Sequence, residues 1–170
     1  MTETQIRKRL VSYFKNNKLH YIIGKSNDTI ISSFRTNNSE IEEVKIIIII
    51  QDNLYSVIAK SPVSADTKDI GNLQRVSEFV LRANWKMKRG CFDFDVDNGD
   101  IYYRYTVDVF SSELNDDVID LSIFLPVSMI AKYTDGLVRV IDSRSSPLEI
   151  IRKIENNSGS SLESVGGIKP

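Results

Sequence analysis

Residues 91–100 read CFDFDVDNGD, and the alternating Asp93, Asp95 and Asp97 ahead of Asn98-Gly99 resemble the opening of a calcium-binding loop. Calcium takes six or more oxygens, so such a loop needs ligands at positions 1, 3 and 5, a glycine at 6 and a bidentate glutamate at 12. Counted from Asp93, the last two positions hold Asn98 and Arg104; counted from Asp95, Gly99 falls on a ligand position and Thr106 on the last. Both frames fail as metal sites. The same residues make a β-hairpin, because Asn-Gly favours a two-residue type I′ turn. That turn predicts Asp97 opposite Asp100, with Val96–Ile101, Phe94–Tyr103 and Phe92–Tyr105 as core pairs. It also places Asp93 opposite Arg104, Asp95 beside Tyr102 and Cys91 opposite Thr106 on the outer face.

The other chemical candidates are weaker. Gly24-Lys25-Ser26 has the end of a phosphate-binding loop, but Leu19 stands where the first glycine belongs. Ser12 and Lys15 have an S-x-x-K spacing without the partner motifs of penicillin-binding enzymes. His20 is the single histidine, so any Ser-His-Asp or Cys-His arrangement must use it, and no nucleophile pattern flanks it. Cys91 is the single cysteine and lacks an activating sequence context. No catalytic, cofactor-binding or metal-binding residue is assigned. The stretch Trp85-Lys86-Met87-Lys88-Arg89 mixes aromatic and basic side chains. It offers an alternative reading as a small-ligand or RNA-binding surface, with Tyr102 and Arg104 nearby.

Composition narrows the field further. The chain has 170 residues, 41% hydrophobic and 26% charged, which suits one globular domain, placed at 1–156 with a Gly/Ser-rich flexible tail at 157–170. A formal net charge of -1 argues against nucleic acid and against anionic membranes as partners. One cysteine precludes an intrachain disulfide, and no apolar run of signal-peptide or bilayer-spanning length is evident, so the expected setting is the cytoplasm.

The elements that must position these residues follow from periodicity. Thr2 and Gln5 have capping-box spacing ahead of Ile6, Leu10, Tyr13 and Phe14, predicting a helix over 3–16. Residues 20–24 and 29–35 read as a short hairpin. Five consecutive isoleucines lead through Asp52-Asn53 into LYSVIAK, a second hairpin pairing Ile46, Ile48 and Ile50 with Ala59, Val57 and Tyr55 on a core face. Lys45 then faces Lys60. Ile47, Ile49 and Ile58 fall on the opposite face, where a half-solvated sheet carries polar residues, so a cover is expected there. A partner could supply it, as could a terminal helix carrying Leu148, Ile150, Ile151 and Ile154. A second helix is predicted over 66–87, capped by Asp66 and burying Ile70, Leu73, Val76, Val80 and Ala83. A third starts at the Asn115 cap, with Val118, Leu121, Leu125, Met129, Tyr133 and Leu137 on its face and Pro126 kinking it. Pro147 opens the last.

The stretch VSEFVLRANWKMKRGCFDFDVDNGDIYYRYTVD resembles the YbjN-like family, also described as bacterial sensory transduction regulators. The features that carry the likeness are Leu81 to Asn84 before Trp85, then Gly90, Phe92, Phe94, the Asp-x-Asp-Asn-Gly turn and Ile101 to Tyr105. More loosely, it extends from the first helix to about residue 142. The resemblance implies an α+β fold like that of class I type III secretion chaperones: helix, antiparallel strands, helix, β-hairpin and helices packed on the sheet. It implies no cofactor and no catalytic residues. The expectation is a non-enzymatic, chaperone-like or regulatory protein-binding domain. It would form a homodimer and bind an unidentified protein client, with Ile47, Ile49 and Ile58 as the candidate partner or dimer face.

Overall fold

The structure, a computed structural model, describes residues 1–26, 28–36, 41–110, 114–142 and 145–158; residues 159–170 of the predicted tail lie outside the described residues. The elements run α1 (Glu3–Asn16), β1 (Ile22–Ile23), β2 (Thr29–Arg35), β3 (Glu43–Gln51), β4 (Leu54–Lys60), α2 (Ile70–Asn84), β5 (Cys91–Phe94), β6 (Ile101–Asp108), α3 (Asp116–Ile141) and α4 (Pro147–Ser158). The strands form one six-stranded antiparallel sheet in the order β1-β2-β3-β4-β6-β5. The α+β class is as expected. Between β4 and β5 the chain crosses through α2 to the far edge, and the following hairpin returns β6 to β4.

Local chemistry sets the helix starts. Thr2 and Gln5 close the capping box, the Gln5 Oε1 accepting the Thr2 N–H at 2.9 Å. Asn115 accepts the Val118 N–H at 2.9 Å, and Asp116 and Asp117 in the first turn suit the positive end of the α3 dipole. α3 continues through Pro126 for 26 residues. Its most buried face is Ile119, Ile123, Val127 and Ile130, while Val118, Leu121, Leu125 and Met129 are only half-buried. With apolar residues nearly all round this helix, periodicity alone does not select which stripe packs.

α2 departs from expectation in two ways. Asp66 does not cap it: its Oδ1 accepts the Lys68 N–H at 2.9 Å in a separate turn, and the helix begins at Ile70 after Asp69. The buried face is Asn72, Val76, Phe79, Val80 and Ala83, leaving Ile70 at 71% exposure. Asn72 can be buried because Nδ2 donates to the Ile141 carbonyl at 2.8 Å and Oδ1 accepts the Asp66 N–H at 3.1 Å.

The β3–β4 hairpin has the predicted register, Ile46–Ala59, Ile48–Val57 and Ile50–Tyr55, with Asn53 in the left-handed region at φ 63°. The β5–β6 hairpin is shifted by two residues. Phe92 pairs with Tyr103, Phe94 with Ile101 and Cys91 with Arg104, because the connection is a four-residue loop closed by Asp95 N–H to Asp100 O (2.9 Å) and Gly99 N–H to Asp95 O (2.7 Å). A shift of two keeps every side chain on its predicted face but lifts Val96 into the loop, where it is 52% exposed rather than a core residue. The Asp95 side chain decides against the tight turn. Its carboxylate accepts from the Asp97 and Asn98 N–H groups and from Asn98 Nδ2, stabilising a wider loop.

All inward strand residues meet the helices. Phe34 packs edge-on to Phe124 of α3, Phe92 to Tyr133, and Tyr55 bonds Ser122 at 2.9 Å. α1 lies beside α3, tied by Arg9 to Asp116 and by Tyr13 to Asp120. α4 packs on α2 and α3. Gly136 permits a close approach, since a Cβ there would meet Ile150 Cγ2 at 2.6 Å and Ile154 Cδ1 at 2.9 Å. α3 is the one helix among the described residues long and apolar enough to cross a membrane, with a mean hydropathy of 1.2 over its best window, and half of that window is buried inside the protein. That is the position of a core helix.

Candidate binding surfaces

Among the described residues every helix lies on one side of the six-stranded sheet, which leaves the other side open. Strand pairing aligns Ile22, Ile31, Ile47 and Ile58 in one row across β1, β2, β3 and β4, and continues it through Arg104 of β6 to Cys91 of β5. Ile49 stands beside this row at 37% exposure and Ile22 ends it at 68%; Ile31, Ile47 and Ile58 are shielded only in part by their neighbours. The sequence therefore placed Ile47, Ile49 and Ile58 on one face, and the pairing adds Ile31 and Ile22. Those two were missed because the register of β1 and β2 is not evident from two and seven residues. α4 does not cover this face: Ile150 and Ile151 are buried in the helical layer.

At the end of the row a polar cluster takes over. Arg104 Nε and Nη2 donate to both carboxylate oxygens of Asp93 at 2.7 and 3.1 Å, a fork-to-fork pair. The Cys91 thiol lies 3.6 Å from Asp93 Oδ1 and 3.7 Å from Arg104 Nη2. Burial and then the Asp93 charge push its pKa up, against the pull of Arg104, so the thiol form is favoured. His20 lies beside β2, its carbonyl accepting from Ser32 Oγ at 2.7 Å. Four strand spacings separate β2 from β5, about 19 Å, so His20 and Cys91 do not meet.

Three of the four acids of the opening motif are engaged by protein groups. Asp93 holds Arg104 and Asp95 closes its own loop. Asp100 accepts from Lys60 Nζ at 2.7 Å, Ser64 Oγ at 2.9 Å and Tyr102 at 2.9 Å. These bonds, that from Lys60 first, hold the Asp100 pKa below the ordinary carboxylate value. Among the described residues no cluster of histidine, cysteine, aspartate or glutamate is arranged to hold a metal ion.

A second apolar surface lies on the helical side. Trp85 follows the last residue of α2 at 84% exposure and Leu81, one turn earlier, is 71% exposed. With Glu78 and Arg82 they border an open depression of about 450 Å³. Tyr102 and Arg104 point from the opposite face of the sheet, so the basic-aromatic stretch and these two residues do not form one surface.

Fold and surfaces together define an α+β domain with one helix-covered and one open sheet face. Compared with protein-family models, curated proteins and solved structures, the chain matches none of them.

Proposed function

We propose that this chain is a non-enzymatic, protein-binding domain of chaperone-like or regulatory type, which acts in the cytoplasm and self-associates through its open sheet face. The observation that carries the reading is the isoleucine row Ile22, Ile31, Ile47 and Ile58 with Ile49 beside it, lying on the face that no helix covers among the described residues. Large apolar patches on a water-facing side are characteristic of protein interfaces. The likeness of residues 76–108 to YbjN-like domains supports the same class of role.

The area suffices for a dimer. Six strands at about 4.8 Å and a strand length of about 20 Å give a face of roughly 600 Å², or roughly 1,200 Å² over two copies, at the lower end of stable interfaces. Two such sheets pack face to face about 10 Å apart. The separation of His20 from Cys91 and the neutral bias of the thiol support the non-enzymatic part of the reading.

Sedimentation velocity across micromolar concentrations tests it. A concentration-dependent dimer that Ile47→Lys converts to a folded monomer is the expected result. A wild-type chain that stays monomeric throughout, with no partner retained from a native lysate, overturns the reading.

A further inference from the structure

The surface formed by Leu81, Trp85 and the cations after α2 makes a different demand from the sheet face. Leu81 and Trp85 are one helical turn apart and point outward together, although α2 has a separate buried stripe that already anchors it. Their exposure therefore contributes nothing to the core. Four cations, Arg82, Lys86, Lys88 and Arg89, occur within eight residues that contain no acid. Two are neutralised: Arg82 by Glu78 at 2.6 Å and Lys86 by Glu155 at 3.1 Å. Lys88 and Arg89 are exposed and have no ionic partner among the described residues.

The depression is bordered by the two apolar anchors and the Arg82–Glu78 pair, and Lys86, Lys88 and Arg89 follow Trp85 within four residues, which brings a local excess of two positive charges next to it. A polyanionic strand fits this poorly. Two unpaired cations leave most of its phosphates unmatched, and one exposed aromatic ring gives a single stacking position where single-strand binders use several. A short polypeptide with apolar side chains beside one or two carboxylates fits both parts, with its apolar groups on Leu81 and Trp85 and its acids at Lys88 and Arg89.

We propose that the Leu81–Trp85 face of α2, with Lys88 and Arg89, is a docking site for a short acidic-apolar segment of a partner protein. The inference rests on the protein-binding reading in kind but uses the opposite side of the molecule from the self-association face.

Trp85 is the single tryptophan of the chain, so its fluorescence reports on this site alone. The full chain is titrated with a synthetic peptide alternating Asp or Glu with Leu and Phe. Three controls accompany it: a counterpart with Lys for the acids, one with Ser for Leu and Phe, and an oligouridylate. The expected result is a saturable blue shift with the acidic-apolar peptide. Leu81→Ser should weaken binding about tenfold or more, as should the Lys88→Glu, Arg89→Glu double variant, and Ile47→Lys on the sheet face should leave it unchanged. Absence of a shift, an equal shift with the basic or serine peptide, insensitivity to both variants, or a stronger response to the oligonucleotide would each overturn the proposal. Loss of dimerisation with the shift intact would instead count against the sheet-face reading alone.

Discussion

Ile47 and Ile58 are directly opposite each other on β3 and β4, at the middle of the sheet face that carries no helix among the described residues. Their immediate neighbours on the same β3 and β4 strands, Ile46, Ile48, Val57 and Ala59, point the other way and are fully buried. The hairpin is therefore apolar on both sides, as expected of a strand pair with two packed faces. Lysine at Ile47 or Ile58 leaves the helix-covered core untouched. Each single change should move the thermal midpoint little and, like the Ile47→Lys, Ile58→Lys pair, abolish self-association; thermal scans alongside sedimentation separate the two effects.

The buried hydrogen bond between Tyr55 and Ser122 has an assignable direction. Ser122 Oγ lies 2.8 Å from the Ile119 carbonyl and must spend its proton there, so Tyr55 is the donor to Ser122 Oγ at 2.9 Å. Ser122→Ala leaves a buried phenol without an acceptor and should cost about 1–3 kcal/mol, more than the roughly 0.5–1.5 kcal/mol of Tyr55→Phe. Urea denaturation of both variants checks the order. Burial also pushes the Tyr55 phenol up to about 12, so in an alkaline absorbance titration it should ionise well above the ordinary phenol value of about 10.

Gly99 is needed on two counts. Its φ of +75° is left-handed, and a Cβ there would stand 2.2 Å from the carbonyl oxygen of Ala65, whose N–H donates to the Gly99 carbonyl at 2.8 Å. Gly99→Ala should therefore destabilise by about 2–3 kcal/mol, whereas Asp97→Ala in the same loop should stay within about 0.5 kcal/mol. Equal effects in equilibrium unfolding would contradict this account of the loop.

Asp100 couples the hairpin to Lys60 and Ser64, and its pKa is lowered in the folded state. A depressed carboxylate contributes stability above its unfolded value of about 3.9, and that stability is lost as pH falls through the lower folded value. Asp100→Asn should accordingly be less stable than wild type at neutral pH, with the gap closing in acid. Denaturant midpoints measured from pH 7 downward provide the test; a gap independent of pH would show that the charge is not responsible.

Cys91 is expected to be a slow nucleophile while folded, since burial and Asp93 both raise its pKa. Asp93→Asn removes the adjacent negative charge and frees Arg104 to stabilise the thiolate. Alkylation of that variant at mildly alkaline pH should be several-fold faster than that of the folded wild type. An unchanged rate would mean that accessibility, not charge, governs the thiol.

The candidate surfaces were unequally legible. Alternation along EEVKIIIIIQ and the Asp52-Asn53 turn were enough to put Ile47, Ile49 and Ile58 on one face, because a strand's period of two leaves no other arrangement. Trp85 and Leu81 were visible as residue types, but their exposure was not. The buried stripe of α2 runs through Asn72 and Phe79, and a buried asparagine is recognisable only once Ile141 and Asp66 are seen to satisfy it.

By itself the sequence determined the local decisions: the Thr2 and Asn115 caps, the β3–β4 register and the failure of CFDFDVDNGD as a calcium loop. Each depends on residues close together in the chain, where steric preference and short-range hydrogen bonds dominate. Tertiary structure alone decided which stripe of α2 and α3 is buried, that α4 joins the helical layer, and that the isoleucine row extends to Ile31 and Ile22. Those outcomes depend on contacts between distant segments, and where a helix is apolar on several sides or a strand is only two residues long, the local pattern is degenerate and packing makes the choice.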